Sequence, residues 1–276
     1  MEKILVGVDF SESSKNAAVY AVKFASYFSA QVVLLNAFSM PVPYPESSVV
    51  FSVDEYEKEA YEGLSKLKAE LHLEVPQIDI QILAKLGDGE DIIREELESN
   101  KYDLVILGIN PNVGELYEYF IGSTATALAR EASVPVLIVP NHLHFFKIKK
   151  LGYAADYNKN YEKSNVLIFL KYFTTVFDAE LSLINVVTEN DKNTLDIIKH
   201  EEYINQYLEP IHPKTIYSSN KDISEGLIDV AKRNDIDLLV TSPAKHHFFY
   251  EWYHESNTKK LAFHINIPLL CLPFDI

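Results

Sequence analysis

Two rhythms of apolar residues alternate along this chain. Short runs at 4–8, 31–38, 78–84, 104–107 and 136–139 are dense in Val, Ile and Leu and bounded by polar or glycine positions. Such runs read as strands buried on both faces. Between them the apolar positions take helical spacing. Ala17, Ala18, Ala21, Val22, Phe24, Ala25 and Phe28 form one stripe, with Ser11 as the expected N-cap and Ser14 as a further candidate. A polar helix is expected over about 53–73, a third helix over 88–99 and an Ala-rich fourth over 124–132. Strands alternating with helices predict a parallel sheet covered on both sides, an α/β fold.

The second half of the chain repeats this order. Asn100 to Leu104 matches Asn234 to Leu238, and Val134-Pro135-Val136-Leu137 matches Ile267-Pro268-Leu269-Leu270. Asp9 matches Asp156, each ending a strand, and Val33 to Asn36 matches Ser182 to Asn185. Several matches in the same order predict two tandem α/β units, over 1–142 and 147–276, with the boundary near 140–146.

The chemistry of the first unit centres on 103–140. The strand 104–107 is expected to end at Gly108, and Gly122-Ser123 opens a helix whose first turn carries the hydroxyls of Ser123 and Thr124. Strand, glycine-bearing loop and helix N-terminus together favour an anion. The first helical N–H groups lack intrahelical partners, the helix dipole attracts negative charge, and glycine lets a ligand approach the backbone.

Composition narrows the partners. The net charge of −15 repels nucleic-acid backbone and anionic membrane surfaces, and no apolar run approaches the roughly 20 residues that span a bilayer. The N-terminus enters a strand directly, without signal-peptide features, and the single Cys271 excludes an intrachain disulfide. A cytoplasmic protein meeting small molecules or proteins is expected.

The residues Ile4 to Ser11, Tyr102 to Gly108, Phe120 to Ser123 and Pro135 to Pro140 resemble the universal stress protein family, in its tandem two-domain form. The resemblance implies a five-stranded parallel, Rossmann-like sheet of order 3-2-1-4-5 in each unit, paired through the last strands; a homodimer is left open. ATP-binding members carry glycine, two residues, glycine, nine residues, then glycine followed by Ser or Thr. Here Gly108 takes the first place and Gly122-Ser123 the last pair, one residue late, while Pro111 replaces the second glycine and Gly114 lies nearby. Proline removes an N–H and fixes φ, so this departure bears on phosphate contact. The resemblance also implies that Asp9 meets ribose or adenine, that Ala37 lies near the base, and that Ser123 meets phosphate. ATP or AMP is the implied ligand, with magnesium undecided. In the second unit Ser242-Pro243 and Glu255-Ser256 stand at the loop positions, which implies a degenerate partner.

Other readings compete. Asp9 can simply end a strand and cap a helix, and the glycine loop can be a ligand-free turn. His246, His247 and His254 flank an aromatic segment that suits contact better than metal, so no metal site is expected. The Walker, dinucleotide-binding and nucleophile-elbow motifs are all missing, and no general base converges on the site. No robust catalysis is expected, so a regulatory adenine-nucleotide binder leads and a nucleotide-free scaffold follows.

Overall fold

A computed structural model describes residues 1–40, 52–110, 123–131, 133–157, 161, 164–187, 194–242 and 267–273, with backbone alone at 123, 126, 130, 131 and 194–197. In chain order the first half runs β1 (Lys3–Gly7), α1 (Glu12–Ser26), β2 (Gln31–Phe38), α2 (Val53–Glu74), β3 (Ile80–Leu86), α3 (Gly89–Ser99), β4 (Leu104–Ile109), α4 (Ser123–Glu131) and β5 (Val136–Pro140). The second half runs β6 (Lys150–Ala154), α5 (Val166–Phe177), β7 (Glu180–Val187), α6 (Thr194–Tyr207), β8 (Lys214–Ser219), α7 (Ile223–Arg233), β9 (Leu238–Thr241) and β10 (Leu269–Cys271).

The ten strands among the described residues join one sheet, β3-β2-β1-β4-β5-β10-β9-β6-β7-β8. The expected 3-2-1-4-5 order is therefore present in the first half, and the second half has the same order read from the other edge. Pairing is parallel except where the halves meet: β5 and β10 run antiparallel, with Leu137 opposite Leu270. Union through the last strands is what the resemblance implied. The inner strands β4, β5 and β9 are buried almost throughout, which accounts for their unbroken apolar runs, whereas the edge strand β8 is largely open to solvent.

The largest departures from the expected strand boundaries, two residues each, lie in β3 and β4. The third strand starts at Ile80 rather than residue 78, because Val32 pairs with Ile80 and the ladder then runs on to Phe38 opposite Leu86. Gly108 does not end its strand: it pairs with Val139 inside β4, and Ile109 continues opposite Pro140.

The repeat has a physical cause at each matched residue. Asp103 Oδ2 accepts the backbone N–H groups of Glu2 and Lys3 at 2.6 and 3.0 Å, and Asp237 Oδ2 accepts those of Lys149 and Lys150 at 2.7 and 2.9 Å. Each carboxylate thus fixes the start of its half's first strand through charge-assisted bonds. Asn36 donates to the carbonyl of Val8 at 2.7 Å, and Asn185 to that of Ala155 at 2.8 Å, which holds the chain just past β1 and β6 against the second strand of each half.

Apolar residues alternate to the two faces of the sheet, giving one core under α1, α2, α5 and α6 and another under α3, α4 and α7. On the first face α1 and α5 meet across the junction of the halves. Phe24 packs on Phe173 and Phe177 with ring centroids 6.1 and 5.4 Å apart, while Tyr27 and Phe28 also reach Phe177 at 5.0 and 5.6 Å. Phe177 is fully buried among these rings. Its replacement in Phe177→Ala is expected to lower unfolding free energy by about 3–5 kcal/mol in chemical denaturation. A loss under about 1 kcal/mol would show that the seam carries little of the stability.

Candidate functional site

A cleft of about 190 Å³ opens at the carboxyl ends of β1, β2 and β4. It lies where the sheet order switches direction between β1 and β4, the place at which open α/β sheets leave a crevice. One wall is apolar, from Leu35, Ala37, Ile93 and Leu107; the other side presents Asp9, Ser14 and Thr124. Three helices point their first turns at it, through Ser14 of α1, Gly89 of α3 and Thr124 of α4. Their N-terminal dipole ends favour negative charge on a ligand, and the Thr124 hydroxyl adds a donor. The apolar lining suits a ring, and Asp9 can accept from hydroxyl or amino groups.

Asp9 is held in place by the cap of α1. Ser11 donates both its backbone N–H, at 3.0 Å, and its hydroxyl to Asp9 Oδ1, while its hydroxyl oxygen accepts from the N–H of Ser14 at 3.2 Å. The Asp9 N–H in turn donates to Ser14 Oγ at 3.3 Å. Partial burial by itself would raise the Asp9 carboxyl, but hydrogen bonds from Ser11 and Ser14 outweigh it and hold the group below its ordinary value of 3.8. Asp9 is therefore ionised at neutral pH.

The next residue turns the chain sharply. Phe10 has φ of 61°, a left-handed conformation uncommon for a bulky residue, and its ring lies against Gly63 of α2, where a Cβ would stand 2.7 Å from Phe10 Cζ. Such a conformation costs on the order of 1–3 kcal/mol, here offset by packing. The turn aims Asp9 at the cleft and starts α1.

Gly108 has a strict packing requirement of its own. A Cβ there would sit 2.1 Å from the carbonyl oxygen of Ser13 and 2.9 Å from the backbone nitrogen of Ser14. The first turn of α1 thus rests directly on β4, and only glycine admits it. In the second half Ser242 stands at this position, and its hydroxyl bonds Tyr153 Oη at 2.6 Å, with Tyr161 Oη 3.1 Å beyond. There Tyr161 Oη takes the N–H of Asp156 at 3.2 Å, the part Ser14 plays for Asp9. The tyrosines are buried, and burial raises their hydroxyl pKa values.

Of the residues singled out from sequence, Asp9, Ala37, Gly108 and Thr124 come together at the cleft. Ser123 begins α4, its side chain lying outside the described atoms. Gly114, Gly122 and Pro111 lie outside the described residues, as do His246, His247, His254 and Glu255. Among the described residues no cluster of three or more His, Cys, Asp or Glu could hold a metal. Gly7, Ser14, Gly89 and Ile93 also line the cleft, and sequence reading gave none of them a place in the site. The repeat held the signal for two of them. Ala154 stands in place of Gly7, Val186 of Ala37 and Ile223 of Gly89, so each position that opens the first cleft carries a larger side chain in the second half. Val186 is buried, and Gly226 makes room for it, since a Cβ there would meet Val186 Cγ1 at 2.6 Å.

The sequence model of the universal stress protein family matches residues 1–140. The chain belongs to that family. A universal stress protein of Mycolicibacterium smegmatis is 29% identical over 141 residues, 49% of this chain and 47% of that protein, so the match spans about half the length of that relative. One from Methanocaldococcus jannaschii is also 29% identical over 141 residues, 50% of this chain and 81% of that one. The crystal structure of a universal stress protein from Archaeoglobus fulgidus covers 99% of this chain and 96% of its own, at a TM-score of 0.73 and 15% identity, a likeness of fold. No helix among the described residues is long and apolar enough to cross a membrane.

Because the folded Asp9 pKa is depressed, its contribution to stability is complete above the unfolded value and is lost as pH falls through the lower folded value. Asp9→Asn is expected to flatten the acid limb of a stability–pH profile below about pH 4. An unchanged acid limb would show that the Ser11 and Ser14 bonds do not select the ionised form. Gly108→Ala is expected to destabilise by about 1–3 kcal/mol through overpacking against Ser13, with or without ligand; a thermal melt like that of the parent protein would contradict the close approach.

Proposed function

We propose that the first half of this universal stress protein binds one adenine nucleotide, AMP or ATP, as a regulatory ligand, and that the chain catalyses no robust reaction. The observation that carries this reading is the convergence of Asp9, Ala37 and Thr124 on one cleft. An apolar surface for the base, an ionised carboxylate for the ribose hydroxyls and a helix N-terminus for phosphate are the groups a nucleotide requires. The resemblance to ATP-binding members of the family supports the same roles for Asp9 and Ala37, and phosphate at the start of α4. In the second half the larger residues Val186 and Ile223 stand at the equivalent positions, which supports one ligand per chain. The buried Cys271 thiol, pushed up to about 12 by burial, is unreactive and fits work in the reducing cytoplasm.

One observation favours the second reading, a nucleotide-free scaffold. Gly108 is required by the approach of α1 whether or not phosphate binds, so this glycine alone does not argue for a ligand. Gly108→Pro would damage the fold and separate nothing.

Gly89→Ile separates the two readings cleanly. Among the described residues a Cβ at Gly89 meets only Thr124 Oγ1, at 3.8 Å, so the larger side chain is accommodated at the cleft and reproduces Ile223 of the second half. Calorimetric titration of AMP and ATP, with and without magnesium, is expected to give saturable binding for the parent protein. Gly89→Ile is expected to melt within a few degrees of it and to bind at least about 100-fold more weakly, near 2.7 kcal/mol. A flat titration of the parent protein to millimolar nucleotide would establish the scaffold reading instead.

A further inference from the structure

We propose that α1 is a strut coupling occupancy of the cleft to the 140–149 connection between the two halves. The coupling rests on the nucleotide reading of the cleft and adds how a ligand there would be felt elsewhere.

One end of the strut is the cleft wall. Ser14 lines the cleft and accepts the N–H of Asp9, and the Ser13 carbonyl lies against Gly108 with no space between them. Interiors packed this closely transmit displacement and do not absorb it. Ser11 adds a local switch. Its hydroxyl reaches both Asp9 Oδ1 and Ser13 Oγ, the latter at 2.9 Å. A ligand hydroxyl that takes Asp9 Oδ1 leaves the Ser11 hydroxyl to Ser13, while its oxygen still caps the N–H of Ser14.

The other end grips the connection. Half a turn beyond Ser14, Asn16 Nδ2 donates to two backbone carbonyls of the connection, Pro140 at 3.1 Å and Leu143 at 3.0 Å. One turn further, the Tyr20 ring meets Phe145 edge-on with centroids 5.0 Å apart, and Tyr27 meets the same ring at 5.8 Å. The connection is tied to the cleft floor as well, since the Asn141 N–H donates at 2.8 Å to the carbonyl of Ile109, next to Gly108. Beyond it, Phe24 and Tyr27 reach Phe177 of α5. A single helix therefore contacts the cleft, the connection and the opposite half at successive turns, and bracing its first turn with a ligand stiffens all three.

Amide hydrogen exchange on the full chain tests this, with AMP binding measured in parallel by calorimetry. Saturating AMP is expected to slow exchange at Asn141 and Leu143 at least threefold in the parent protein. In Asn16→Asp, which keeps the side chain's shape and removes the donor, AMP still binds but that slowing disappears; a circular-dichroism melt checks that the variant is folded. AMP binding without any change at the connection, or slowing that persists in Asn16→Asp, overturns the strut. If calorimetry shows no AMP binding, the nucleotide reading fails, and the strut is judged without ligand. Asn16→Asp must then raise exchange at residues 9–14 at least threefold, and unchanged exchange there overturns it.

Discussion

The contact between the first turn of α1 and the middle of β4 is the constraint on which the site depends. At Gly108 the two backbones touch, the carbonyl of Ser13 occupying the place a Cβ would need. That approach fixes how deeply α1 sits on the sheet, and so where its cap, Ser11, can hold Asp9. It also forces the turn at Phe10, because the chain must leave β1 and enter α1 within a few residues. Cleft, cap and strained turn are three consequences of one missing side chain.

The scaffold is symmetric where it must hold the sheet together and asymmetric where it could hold a ligand. Asp103 and Asp237, and likewise Asn36 and Asn185, make the same bonds in both halves because every such sheet must anchor its first strand. The antiparallel pairing of β5 with β10 and the ring cluster between α1 and α5 then join the halves along sheet and helices alike. Beside Asp156 the second half carries larger residues, Val186 and Ile223, at the positions of Ala37 and Gly89. Val186 with Gly226 replaces Ala37 with Ile92, an exchange of bulk between neighbours that keeps the interior filled. A tyrosine and serine hydroxyl network replaces the close helix contact at Gly108.

Most of the fold was legible in the sequence, for physical reasons. Strands buried on both faces must be apolar throughout, and helices lying on a sheet must carry a stripe, so both leave unambiguous periods. The repeat was legible because Asp103 and Asp237, and Asn36 and Asn185, do the same structural work in each half. The site was legible only in part. Of the cleft residues, Asp9 and Ala37 were singled out through resemblance to a motif and Thr124 through its place on a helix's first turn, whereas Gly89 and Ser14 enter the cleft from helix starts, where small and hydroxyl residues serve capping equally well. Gly108 lines the cleft, yet what packs over it is the backbone of α1: a sequence cannot say that the neighbour over a glycine is a helix backbone and not a phosphate. The ends of β3 and β4 were missed by two residues because ladder partners, not local propensity, decide where a strand stops.

The central claim is that one half of this chain keeps an open nucleotide cleft and the other has closed it. A crystal structure of the chain grown with AMP tests it most directly. The account predicts one nucleotide per chain, its base against Ala37, its ribose hydroxyls on Asp9 and its phosphate at the start of α4, with nothing bound beside Asp156. Nucleotide bound in the second half, or a first cleft that stays empty at saturating AMP, would contradict it.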